Sequence, residues 1–206
     1  MRRLIALLAT LTLAGVLAPA VIDAPASAAP ATHVVVVRPV TAQGRPAPGW
    51  TVHRQKGAVF CDDASRSAVD DGIATCYPSA YYLPSCWRSA GHTVLCVRDV
   101  GSRELVRIRY RGAYPDVTAP RRPSPQELTL GNGETCTIRI GGAWGTAPSH
   151  PRWLGFYSCE SGSVYGPPNG DGIDRGHHPW WVHVMRDDRS MVLKTVRTAY
   201  VVGTAA

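Results

Sequence analysis

Lysine is nearly missing from this chain: Lys56 and Lys194 are the only two in 206 residues. Phenylalanine is as scarce, with Phe60 and Phe156 alone. No long amphipathic run with helical period appears anywhere, which argues against helix bundles and doubly wound sheets. No close C-x2-C pair is present, so the cysteines lack the spacing of a structural zinc site. There is no G-x-S-x-G elbow and no H-E-x-x-H helix motif. Beyond the N-terminal segment no second apolar run occurs, and the mature chain is expected to be soluble and not membrane-spanning. No cysteine closely follows the N-terminal apolar run, since the first is Cys61, and an N-terminal lipid anchor is not expected.

What is present begins with an export signal. Arg2 and Arg3 precede an apolar stretch from Leu4 to Leu17, and Ala26-Ser27-Ala28 offers a small-residue cleavage site. Residues 1–28 therefore read as a signal peptide, cut before Ala29. The remainder, 29–206, has the length of one secreted domain. Without Arg2, Arg3 and Asp23 it keeps 20 basic and 14 acidic side chains, a formal charge of +6. That excess is moderate and scattered. It favours acidic surfaces but does not predict a specific nucleic-acid partner.

Six cysteines follow the signal, an even number in an oxidising compartment, and predict three disulfides with no free thiol. Spacing favours sequential neighbours: Cys61–Cys76, Cys86–Cys96 and Cys136–Cys159. A Cα separation of about 4.4–6.8 Å is expected within each pair.

The chain divides into short β runs separated by Gly/Pro turns. His33 to Val37 is mostly β-branched and reads as a buried strand, which Pro39 either ends or marks as an edge. Trp50 to His53 and Ala58 to Cys61 read as two further strands. Pro78 to Trp87 predicts a short helix opened by Pro78. His92 to Asp99 and Arg103 to Arg111 predict a hairpin over Val100-Gly101-Ser102. Within its second strand Val106, Ile108 and Tyr110 alternate with Arg107, Arg109 and Arg111, which places the arginines in solvent. Residues 112–126 carry four prolines and suggest a crossing between two lobes. Gly131-Asn132-Gly133-Glu134 and Arg186 to Ser190 predict further hairpin turns. The fold class is mainly β, with many short antiparallel strands in a sandwich- or barrel-like arrangement, one or two short helices and three disulfides.

Three clusters are candidates for chemistry. Asn169-Gly170-Asp171-Gly172-Ile173-Asp174 resembles the middle of a calcium loop, although Pro167 and His178 stand where the strongest ligands belong. The alternative is a tight turn held by Asx hydrogen bonds. Asp171, Asp174 and His183, with His177 and His178 nearby, are the candidate metal or hydrolytic set. His92 with Asp70, Asp71 and Asp99 is a weaker acid/base group. No cofactor is expected. Trp144, Trp153, Trp180 and Trp181 lie in or beside Gly/Pro/His loops, where indoles offer broad apolar faces to sugars and polymers. Burial as core plugs is the alternative for each.

The Ala-rich signal, the arginine bias and the segments CYPSA (76–80), GGAWG (141–145), HPRWLGFYSC (150–159) and DGIDR (171–175) together resemble small exported actinobacterial proteins of uncharacterised function. The resemblance implies secretion and a disulfide-stapled domain, and carries over no catalytic residues. The leading functional expectation is a non-enzymatic extracellular protein that binds a cell-envelope polysaccharide or an extracellular protein through its tryptophan loops. The alternatives are a hydrolase using Asp171, Asp174 and His183, and a protein that meets anionic surfaces through Arg103, Arg107, Arg109 and Arg111.

Overall fold

The computed structural model describes residues 30–77, 82–139 and 146–206. Residues 1–29, where the signal peptide is expected, most of CYPSA after Tyr77, and the GGAWG segment with Trp144 lie outside the described residues. Two closed β structures account for the rest, and no helix occurs among the described residues.

The first barrel is a five-stranded meander: β2 (Thr51–Ala64), β3 (Ile73–Tyr77), β4 (Leu83–Ser89), β5 (Thr93–Asp99) and β6 (Glu104–Tyr110). Consecutive strands are antiparallel, so the first and fifth run the same way and the seam β2–β6 has to be parallel. Closure leaves no open edge between these strands. The second structure joins β1 (His33–Thr41), β7 (Glu127–Leu130), β8 (Thr135–Ile138), β9 (Leu154–Cys159), β10 (Gly162–Gly166), β11 (Ile173–Asp174), β12 (Trp180–Met185) and β13 (Met191–Ala205). Strand β13 is long enough to serve both ends of this sheet. Residues 191–196 pair with β12, and 196–200 pair with β7. That double pairing closes a ring β13-β7-β8-β9-β10-β12, whose even number of alternating strands needs only antiparallel contacts. Strand β1 runs parallel to β13, and β11 adds to β12.

The chain enters the second sheet through β1, builds the first barrel, and returns along residues 112–126. The two are therefore bound by more than a linker. Val69 N–H donates to Val202 O and Val202 N–H to Ser67 O, both at 2.9 Å. Val40 and Val202 pack on Ile73, Trp87, Leu95, Val97 and Leu105 of the first barrel. This explains the unbroken apolar run Val94-Leu95-Cys96-Val97. One side of β5 fills the barrel with Val94 and Cys96, and the other meets the second sheet with Leu95 and Val97. The alternation on β6 is as expected at Val106, Ile108 and Tyr110, all buried, with Arg109 and Arg111 exposed. Arg107 is half-buried and donates to Ser89 Oγ at 3.3 Å.

All three disulfides join the expected partners, each across directly opposed residues of neighbouring strands. Their Cα separations, 4.0–4.1 Å, fall below the expected range. Directly opposed antiparallel residues approach more closely than cysteines on independent loops. Cys61, Cys76, Cys86 and Cys96 all sit in the interior of the first barrel.

Three local expectations are corrected. The helix over Pro78 to Trp87 does not form where it is described: Leu83–Ser89 is strand β4. Cys86 faces Ala74 and Cys96 while Trp87 faces Ile73 and Leu95, and burial on both faces outweighs the local helix signal. The run His33 to Val37 is not buried. Val34 and Val36 are exposed, because β1 lies at the sheet margin with one neighbour. Pro39 does not end it but sits at a register shift between Val37 and Val40 of this marginal strand, in keeping with the edge reading. The two short strands expected around residues 50–61 are one strand, β2, bulged between Arg54 and Ala58 where Gly57 takes φ 103°.

Candidate functional site

Strand β12 organises the most chemically varied surface. Val182 and Val184 are fully buried in the second core. Trp181, His183 and Met185 alternate with them and point outward. Trp181 lies opposite Asp174 on β11 and Thr195 on β13, and His183 lies opposite Leu193, which is 49% exposed. His177 stacks on the Trp181 indole with ring centroids 4.0 Å apart and planes 11° from parallel. Its Nε2 is 3.6 Å from Asp174 Oδ2. One residue pair along, His183 meets Trp153 edge to face at 5.0 Å, and His150 stacks on Trp153 at 3.9 Å. Two histidine–tryptophan stacks thus share one face of a rigid sheet. Burial lowers the His183 pKa, the neighbouring His150 lowers it further, and Asp174 partly opposes both. His183 is therefore biased toward the neutral imidazole, which keeps one donor and one acceptor nitrogen.

Trp180 has a different place. It packs against the second core, and the Arg175 guanidinium lies over its ring at 4.9 Å. Its backbone N–H donates to Thr32 Oγ1 at 2.7 Å, and Thr32 Oγ1 donates on to Val196 O. Of the four candidate tryptophans, Trp153 and Trp181 share the outward face and are half-buried, Trp180 supports the core, and Trp144 lies outside the described residues.

Asp171, Asp174 and His183 do not converge. Among the described residues the only gathering of three metal-ligating atoms is Cys76, Cys86 and Cys96, all of them in disulfides. Asp171 is turned inward, and both its oxygens accept from Arg175, at 2.8 and 2.6 Å. Asp171 Oδ1 also accepts from Ile173 N–H, and Asp174 Oδ1 from Gly176 N–H at 2.8 Å. These are Asx turns, the alternative to a calcium loop. Gly172 takes φ 77°, and a Cβ there would lie 2.9 Å from both Phe156 and Val164. Its glycine is thus required by close packing of the loop on β9 and β10.

The His92 cluster is likewise dispersed. His92 stacks on Tyr110, Asp99 accepts from Ser102, Asp71 accepts from Ala119 N–H, and Asp70 binds Arg38 and Thr204 N–H. The arginines expected to meet anionic surfaces keep Arg103, Arg109 and Arg111 in solvent, with Arg111 over the exposed Phe60 ring at 5.7 Å.

A cleft between the barrels had no signal in the sequence, because its walls come from segments far apart in the chain. A buried hydrogen-bond chain joins residues next in sequence to its lining residues Arg66 and Pro84. Ser65 Oγ and Ser85 Oγ are 2.7 Å apart, and Ser85 Oγ donates to Gln126 Oε1 at 2.6 Å. No helix among the described residues is long and apolar enough to cross a membrane, and the three disulfides are of a kind typical of extracellular proteins. Compared with protein-family models, curated proteins and solved structures, the chain matches none.

Proposed function

We propose that the protein is an exported, non-enzymatic binding domain that holds a cell-envelope polysaccharide on the outward face of β12. The observation that carries this reading is the pair of stacks His177–Trp181 and His150–Trp153 on one sheet face. Indoles present broad apolar area to the C–H face of a sugar at low conformational cost. Neutral His183 and the Asp174–His177 pair supply donors and acceptors for hydroxyls beside them. Strand β12 of the closed ring holds Trp181 and His183 in place before a ligand arrives, which lowers the ordering cost of binding. In this reading a sugar ring takes the place of His177 on Trp181, exchanging one stack for another.

The test is tryptophan fluorescence with soluble cell-wall polysaccharide. The expected result is a saturable change whose midpoint moves about tenfold higher in Trp181→Ala, the equivalent of 1.4 kcal/mol. Trp50 and Trp87 belong to the other hydrophobic cluster, so they report that the fold is kept. No response in the native protein, or an unchanged response in Trp181→Ala, refutes the reading. The hydrolytic alternative gains nothing from the geometry, since Asp171 is committed to Arg175.

A further inference from the structure

We propose that the cleft between the two barrels binds a small amphipathic anion, with a phosphate-type head on Arg66 and Arg122 and an apolar body against Phe156 and Leu154. This site is separate from the face of β12 and does not depend on it.

The cleft holds about 420 Å³, within the range of small-molecule sites. The first barrel contributes Thr75, Tyr82 and Pro84, and the second contributes Ile138, Leu154 and Phe156. Two of the large hydrophobics that remain exposed in the protein line it, Leu154 at 48% and Tyr82 at 42%. Apolar side chains from two separate bodies thus line one concave surface without filling it.

A basic recess of about 270 Å³ adjoins this cleft, lined by Arg122, Asn169 and Arg175, and shares Arg66, Ser124 and Asp171 with it. Three guanidiniums meet one carboxylate there. Asp171 gives both oxygens to Arg175, so that pair is internally balanced. Arg66 and Arg122 make no side-chain hydrogen bond or ion pair with any other described residue. Their segments are nevertheless held together, because Ser124 N–H donates to Arg66 O at 2.8 Å. Two like charges are thereby kept at one mouth with no counter-charge of their own, and planar guanidiniums are suited to grip phosphate oxygens.

The arginine mouth selects charge, and the Phe156 and Leu154 wall selects an apolar body. Neither half alone accounts for both observations.

Calorimetric titration of the mature protein tests this with three probes: octyl phosphate, octanol and inorganic phosphate. Octyl phosphate is expected to bind saturably, with octanol and inorganic phosphate each at least tenfold weaker. Raising salt from 50 to 200 mM should weaken octyl phosphate binding severalfold. The double variant Arg66→Gln/Arg122→Gln should lose at least tenfold for octyl phosphate with octanol unchanged. Leu154→Asp, at an exposed position, should weaken octyl phosphate while leaving inorganic phosphate unchanged. Octanol binding as tightly as octyl phosphate would reduce the cleft to an apolar groove and overturn the proposal. Absence of saturable octyl phosphate binding, or native affinity in the double variant with its thermal midpoint retained, would overturn it as well.

Discussion

Replacing Cys86 and Cys96 together by Ala is expected to lower the unfolding free energy by about 4–6 kcal/mol, a large part of the stability of an ordinary domain. The bridge spans only 10 residues, which in the chain-entropy model is worth about 2.7 kcal/mol. Its position adds the rest. Both cysteines are fully buried in the first barrel beside Cys76, so removing two sulfurs opens a cavity that the closed sheet cannot collapse around. Each lost buried heavy atom costs about 1 kcal/mol or more. The Cys136–Cys159 bridge spans 23 residues, and its loop term alone is larger, about 3.4 kcal/mol. Cys159 is only half-buried, however, so less packing is lost there. Its double Ala variant is expected to lose less, about 3–4 kcal/mol. Urea unfolding of the two double variants decides the order. A greater loss at Cys136/Cys159 would mean that unfolded-state entropy outweighs packing in this protein.

Stability is also expected to peak on the acid side, near pH 4.5–5, through two buried glutamates with opposite shifts. Burial pushes the Glu127 carboxyl up to about 7, and Asp99 adds to the effect. The folded state then holds a proton that the unfolded chain has released. Its contribution is full below the unfolded value of 4.5 and is lost as pH rises through about 7. Glu134 behaves in the reverse way. Burial alone would raise it, but hydrogen bonds from Lys194, Ser161 and Asn132 outweigh that and hold it at about 2. Its contribution is full above 4.5 and is lost as pH falls toward 2. His183, whose pKa is lowered, adds to the loss on the acid side below its ordinary value of 6.5. The Glu127 loss between pH 4.5 and 8 should be about 2–3 kcal/mol. In Glu127→Gln that slope should disappear while the acid limb remains. Parallel stability curves for native protein and variant across this window would show that Glu127 ionises freely in the folded state.

Much of the local pattern was legible in the residues. Pairing of Cys61 with Cys76, and of Cys86 with Cys96, follows from short spacing between runs that become neighbouring strands. The outward Arg109 and Arg111 follow from the two-residue period of the pleat. Asn132-Gly133 and Asp187-Asp188 mark turns wherever their strands lie. The chemistry-bearing loop was also partly legible, since Asp171 and Asp174 form the Asx turns that its composition allows.

Features that depended on a distant partner were not legible. Leu83–Ser89 looks helical by itself and is a strand because β3 and β5 flank it. Trp180 and Trp181 are neighbours with the same side chain. Only the pairing of β12 with β11 and β13 sends one toward Arg175 and the core and the other outward. The separation of Asp171 from His183 is of another kind, since an arginine only four residues on takes both carboxylate oxygens, a contact local in the sequence. The inter-barrel cleft and its recess join Arg66, Arg122 and Phe156 from three well-separated stretches of the chain. Sequence alone determined the turns and the two-residue period of most strands, set by residues within a few positions of one another, and the disulfide partners, set by bridges of only 10 to 23 residues. Tertiary structure decided which face of each strand is covered and which charges meet, because burial and Coulomb contact depend on whatever the fold brings alongside.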